Sequence, residues 1–150
     1  MQGILISVRH KWAEKIYRGE KYFELRKTVP RREEFLAQPW RPVYIYEPEA
    51  RAVTGVAGYG GEFSSLAVER MAMLPLALSE EEIAAYGPGR DGLYHAWRLE
   101  SAERYLTPFP LWEFFDPRSF PHVEGSISQR NIPKLPPQSW RYIRFERGRS

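Results

Sequence analysis

The chain is 150 residues long, 43% hydrophobic and 15% aromatic, which suits a single domain, 1-150, with a sizeable core rather than a disordered polymer. It has no cysteine, which excludes disulfides, thiolate metal sites and a cysteine nucleophile. Its net charge of +3 is mildly basic, and 17 of the 22 cations are arginine, the cation suited to bidentate phosphate contacts and to stacking on bases.

Ile4 to Val8 is a short β-branched run that reads as a buried strand. His10 to Arg18 reads as an amphipathic helix, with Trp12, Ala13, Ile16 and Tyr17 on one face and Lys11, Glu14, Lys15 and Arg18 on the other. Gly19 follows at the place where a left-handed residue ends a helix. Tyr22 to Lys27 reads as a second strand. Thr28 to Pro42 reads as a loop with one short helical turn, and Val43 to Tyr46 as a third strand that Pro48 stops.

Ala52 to Phe63, with four glycines, reads as a bent or bulged strand. Ser79 and Glu82 have the form of a capping box opening a short helix that runs to Gly87. Leu93 to Leu99 and Ala102 to Leu106 read as a hairpin pair. Phe115 to Pro137 reads as irregular, and Trp140 to Phe145 as a last strand with Trp140, Tyr142 and Arg144 on one side. Strands around two or three short helices imply a small barrel or other α+β fold.

Gly19, Lys21, Glu24 and Arg26 stand as G-x-K-x-x-E-x-R between the first helix and the second strand. This arrangement resembles the ASCH domains of the PUA-like superfamily. Ser7 to Ile16 is similar to the family's lead-in helix, Val43 to Tyr46 to its next strand, and Pro136 to Ile143 to the closing strand of one branch. The resemblance implies a small β-barrel with two or three flanking short helices. It also implies binding of RNA or modified nucleotides.

Along a regular strand Glu24 and Arg26 share a face with Tyr22, and Lys21 points the other way. Lys21 joins Glu24 and Arg26 only from the turn after Gly19, and we expect it there. Such a trio in a cleft can grip a phosphate or a base edge, with Glu24 orienting the cations; the alternative is an ion-pair network that closes the barrel. Some ASCH proteins are amidohydrolases of N4-acetylcytidine that use a lysine, a threonine three residues later and a distal glutamate. Lys21 matches the lysine, but Glu24 stands where that branch has threonine. A carboxylate there raises the lysine's pKa, against the needs of a lysine base. Glu62 and Glu69 are candidates for the distal carboxylate.

Trp12, Tyr46, Trp97 and Trp140 are candidates for stacking on bases, or else core residues. Arg9 and Lys11 flank Trp12. The tail from Arg130 to Arg149, including Lys134, Arg141, Arg144 and Arg147, is basic enough to follow a phosphate backbone or to form a solvated face. His10, His95 and His122 are scattered with no carboxylate read at ligand spacing, so no metal or other cofactor is expected.

The expected protein is thus a nucleic-acid-binding module whose site comprises Lys21, Glu24, Arg26, Arg9, Trp12, Tyr46 and Arg141, with RNA or a nucleotide-like ligand as partner. The enzymatic alternative is an amidohydrolase using Lys21 and Glu24. A protein partner for a regulatory domain is a third reading. A monomer is expected, with no membrane association. The first residues lack the basic start and long apolar run of a signal peptide, so the expected location is cytoplasmic.

Overall fold

The computed structural model describes residues 1–114, 126–127 and 139–146. Its centre is a parallel pair, β1 (Gln2–Ser7) beside β3 (Pro42–Glu47), with Ile4 opposite Val43 and Ile6 opposite Ile45. Both strands are apolar and buried along nearly their whole length, as happens when a sheet is covered on both faces. A helix, α1 (His10–Tyr17), bridges β1 to β2 (Phe23–Arg26). It buries Ala13 and Ile16 and packs the edges of Trp12 and Tyr17 on the core.

Two long strands follow, β4 (Ala52–Ser65) and β5 (Tyr94–Phe109). Here the structure departs from the hairpin pair expected over 93–106. Those residues form one strand, because Ser101 takes φ 49° and bends it without reversing it. The register of β4 against β5 shifts at three places, so both strands bend together. Gly55 permits their close approach. A Cβ on it would lie 2.2 Å from the Glu103 carbonyl oxygen and 2.6 Å from the Tyr17 ring.

The chain closes with β6 (Ser126–Ile127), inside the stretch expected to be irregular, and β7 (Trp140–Glu146). The seven strands run in the order β2-β5-β4-β3-β1-β7-β6. Four further short helices complete an α+β fold: α2 (Glu33–Leu36), α3 (Val68–Ala72), α4 (Glu80–Tyr86) and α5 (Leu111–Phe114). That makes five helices among the described residues where two or three were expected; three of the five are barely a turn long.

The sheet curls on itself, and side chains rather than a strand ladder tie β2 to the far side. Arg26 donates through Nη2 to the Ser7 carbonyl at 2.6 Å and through Nη1 to Ser139 Oγ at 3.1 Å. Trp140 Nε1 donates to Thr28 Oγ1 at 2.9 Å. Inside the curl lie Ile4, Ile6, Phe35, Val43, Ile45, Tyr59 and Trp97. A separate apolar cluster, built on Leu25, Met71, Leu76 and Ile83, fixes α3 and α4 over β2 and β5.

Candidate functional site

The site begins where α1 ends. Gly19 takes φ +76°, a conformation open to glycine at little cost. The amides of Glu20 and Lys21 then both return to the Lys15 carbonyl, at 3.0 and 3.1 Å. Lys21 therefore precedes β2 instead of belonging to it, and strand alternation does not govern its direction. Its side chain is only 1% exposed, and Nζ donates to the Leu76 carbonyl at 2.5 Å.

Glu24 and Arg26 follow two apart on β2. Glu24 Oε2 lies 3.7 Å from Lys21 Nζ, and Glu24 Oε1 lies 3.6 Å from Arg26 Nη2. These are ion-pair distances, too long for hydrogen bonds, so the carboxylate sits between two cations without bonding to either. Glu24 Oε2 and Arg26 Nε are buried with no hydrogen-bond partner among the described residues. Burial holds the Lys21 ammonium below its ordinary value; Glu24 opposes that shift and Arg26 adds to it. This reverses the direction expected from Glu24 alone, because desolvation outweighs one counter-charge.

The trio floors a cleft of about 1090 Å³. Trp12 of α1 stands on one wall, its ring centroid 5.5 Å from Lys21 Nζ. Tyr46 and Pro48, at the end of β3, form a second wall, and Arg9 and Arg51 carry exposed charge on its lining. The remaining wall is α4 and the residues before it, with Leu78, Glu82, Ala85 and Tyr86. That helix is fastened at both ends. Ser79 and Glu82 form a reciprocal capping box, and the Lys27 ammonium donates to the carbonyls of Tyr86, Gly87 and Pro88 at 2.5, 3.1 and 3.2 Å.

The overall arrangement matches solved structures. An ASCH protein from Zymomonas mobilis superposes with a TM-score of 0.66 at 21% identity, over 95% of this chain and 87% of that one. A tyrosine-to-phenylalanine variant of a Zymomonas mobilis ASCH protein gives 0.66 at 20% identity, over 95% and 90%. A serine-to-alanine variant gives 0.65 at 20%, over 95% and 88%. The fold is that of the ASCH proteins. No protein-family model matches the sequence, and no curated protein matches it significantly.

Within this ASCH fold, six of the seven residues expected at the site line one cleft: Lys21, Glu24, Arg26, Arg9, Trp12 and Tyr46. Tyr46 is only 6% exposed and also packs with Leu5, Val53 and Phe114. Arg141 lies elsewhere, exposed on β7 opposite Leu5. Trp97 is a core residue whose Nε1 donates to the Thr28 carbonyl, and Trp140 packs on Trp97. Glu62 interacts with Ser64 and His95, and Glu69 lies on α3; neither lines the cleft. Of the basic tail, Arg144 pairs with Glu34, while Arg130, Lys134, Arg147 and Arg149, like His122, lie outside the described residues.

The other histidines do meet carboxylates. His10 Nδ1 is 2.7 Å from Glu47 and Nε2 is 3.8 Å from Glu14, while His95 Nε2 is 2.7 Å from Asp91. Two of these partners stand four residues away in sequence, Glu14 from His10 and Asp91 from His95. Arg51, Glu82 and Tyr86 join the cleft without any local sequence signal that points to it. The capping box was visible, but nothing local said which face of its helix would meet Lys21.

Proposed function

We propose that this chain binds RNA or a modified nucleotide in the cleft floored by Lys21, Glu24 and Arg26. The observation that carries the reading is the pair of orphan groups, Glu24 Oε2 and Arg26 Nε, buried beside a large cleft. Buried polar atoms are nearly always satisfied, and leaving them open is costly unless a ligand completes them. A base edge offers what they lack, an N–H for the carboxylate and a ring nitrogen or carbonyl for the guanidinium. Trp12 and Tyr86 supply aromatic surface for the base, and Arg9 and Arg51 supply charge for phosphate. The test is fluorescence anisotropy of a labelled single-stranded RNA with the wild type and with Lys21→Glu. Binding lost in a variant that keeps its circular dichroism spectrum supports the reading; equal affinity in the two proteins refutes it.

One observation favours a second reading, an amidohydrolase acting on an acylated nucleoside such as N4-acetylcytidine. A lysine whose pKa burial depresses is a better base or nucleophile than an ordinary one. Against it, Glu24 occupies the position where the hydrolytic branch has threonine. Turnover of N4-acetylcytidine by the wild type that vanishes in Lys21→Ala supports this reading, and absence of turnover in the wild type removes it.

A further inference from the structure

A second cavity, of about 440 Å³, is lined by the segment that follows Arg26, by the residues around Arg90 and by β7. Its cations are Lys27, Arg31, Arg32 and Arg90, and its aromatic wall is Trp140 and Tyr142. Among the described residues the only acid lining it is Asp91, already engaged by His95 Nε2 at 2.7 Å and by the Leu93 amide at 3.1 Å. Among the described residues Arg31, Arg32 and Arg90 form no ion pair. The Lys27 ammonium is taken up by the carbonyls of Tyr86, Gly87 and Pro88, so three arginines are gathered with no free counter-charge among the described residues, an arrangement that favours an anion.

The lining is held in place. The backbone amides of Arg31 and Arg32 both donate to the Tyr142 hydroxyl at 2.9 Å. The Arg32 guanidinium lies 4.1 Å from the Tyr142 ring centroid, a cation–π contact that helps hold it in place. Gly89 packs so closely on the Lys27 carbonyl that a Cβ would sit 2.4 Å from its oxygen, and its amide bonds the Leu93 carbonyl at 2.8 Å. The loop carrying Arg90 is thus pinned against Lys27.

Consecutive residues line the two cavities, Arg26 the first and Lys27 the second, with Cα atoms about 3.8 Å apart, within the reach of a short strand of nucleotides. We infer that the Arg31–Arg32–Arg90 pocket is a phosphodiester site, which holds the backbone of a single-stranded RNA whose nucleotide is seated over Lys21, Glu24 and Arg26. The inference rests on the nucleotide reading of the first cleft and extends it from a single nucleotide to a strand. Arginine forks suit phosphate oxygens, and phosphate contacts set position and register without reading sequence.

The test is the affinity of a labelled single-stranded RNA 12-mer across a salt series, for the wild type, Arg31→Gln/Arg90→Gln and Lys21→Met, each checked for folding by circular dichroism. Arg31 and Arg90 are exposed, so their neutralisation leaves the core intact. Each lost phosphate contact removes about 0.7 from the single-strand salt slope, so the double variant should bind more weakly with a slope shallower by about 1.4. The gap between it and the wild type should then close about sevenfold between 50 and 200 mM salt.

Weakened binding in both variants supports both sites. Weakening in the double arginine variant alone supports the phosphodiester pocket and counts against the first cleft. Weakening in Lys21→Met alone, with the arginine variant unchanged in affinity and slope, overturns the inference and leaves the first reading standing. A wild type that binds no RNA overturns both. Displacement of RNA by millimolar inorganic phosphate at matched ionic strength, seen in the wild type and lost in the double variant, would assign the pocket to free phosphate and overturn the backbone reading.

Discussion

Glu24→Gln isolates the electrostatics of the site, since it removes one charge and preserves shape. Glu24 stands 3.7 Å from the Lys21 ammonium and 3.6 Å from the Arg26 guanidinium, and all three side chains are at least 89% buried by exposures of 10%, 1% and 11%. At an effective dielectric constant of about 20, each contact is worth about 4.5 kcal/mol of gross attraction. Desolvation of the three groups offsets much of that, and removal of one partner from a buried pair costs about 3–5 kcal/mol. Glu24→Gln should fall at the lower end, about 3 kcal/mol, because Lys21 can relieve the repulsion from Arg26 by shedding its proton. In a chain of 150 residues that lowers Tm by about 6–12 °C. Urea unfolding of the wild type, Glu24→Gln and Glu24→Gln/Lys21→Met provides the assay. The double variant should recover part of the loss, since the stranded ammonium is gone. A cost for Glu24→Gln within about 0.5 kcal/mol of zero would refute the reasoning, because it would mean that the carboxylate does not hold the two cations.

Three other outcomes follow from the same geometry. Lys21 loses its proton in the folded state at a lower pH than in the unfolded chain, since burial holds it below 10.5. The unfolded state therefore binds more protons within that window, and the contribution of Lys21 to stability rises as pH increases toward 10.5. The stability difference between wild type and Lys21→Met should shift in favour of the wild type over that range, and a flat or opposite trend contradicts the depressed pKa. Ser79→Ala removes the hydroxyl that accepts from the Glu82 amide at 3.1 Å; it should cost about 1 kcal/mol by thermal unfolding and, by loosening the α4 wall, weaken RNA binding. Gly55→Ala puts a methyl group against the Glu103 carbonyl and the Tyr17 ring and should cost about 1–3 kcal/mol in urea. A cost below about 0.5 kcal/mol would show that β4 and β5 can spread.

How much of this could be read from the chain depends on how local the cause is. The Gly19 turn was legible because a left-handed residue after an amphipathic helix is a local signal, and it alone redirects Lys21 toward Glu24. The capping box at Ser79 and Glu82 was legible for the same reason. The hairpin expected over 93–106 failed because Ser101 takes a turn-like φ inside a strand, and only pairing with the bulged β4 reveals that the chain continues. Lys21's depressed pKa was hidden because the decisive factor, burial, depends on tertiary packing that includes the Leu76 carbonyl, 55 positions away. The Lys27–Arg90 pocket was hidden likewise, since four separated segments supply its lining.

Of the two orphan groups at the cleft floor, Arg26 Nε can be observed directly. In a ¹⁵N-labelled sample its Nε–H resonance, assigned by its disappearance in Arg26→Lys, should move saturably as a short single-stranded RNA or N4-acetylcytidine is added. It should move because the donor gains an acceptor there. Saturating amounts of both ligands that leave the Arg26 Nε–H resonance in place would contradict the account.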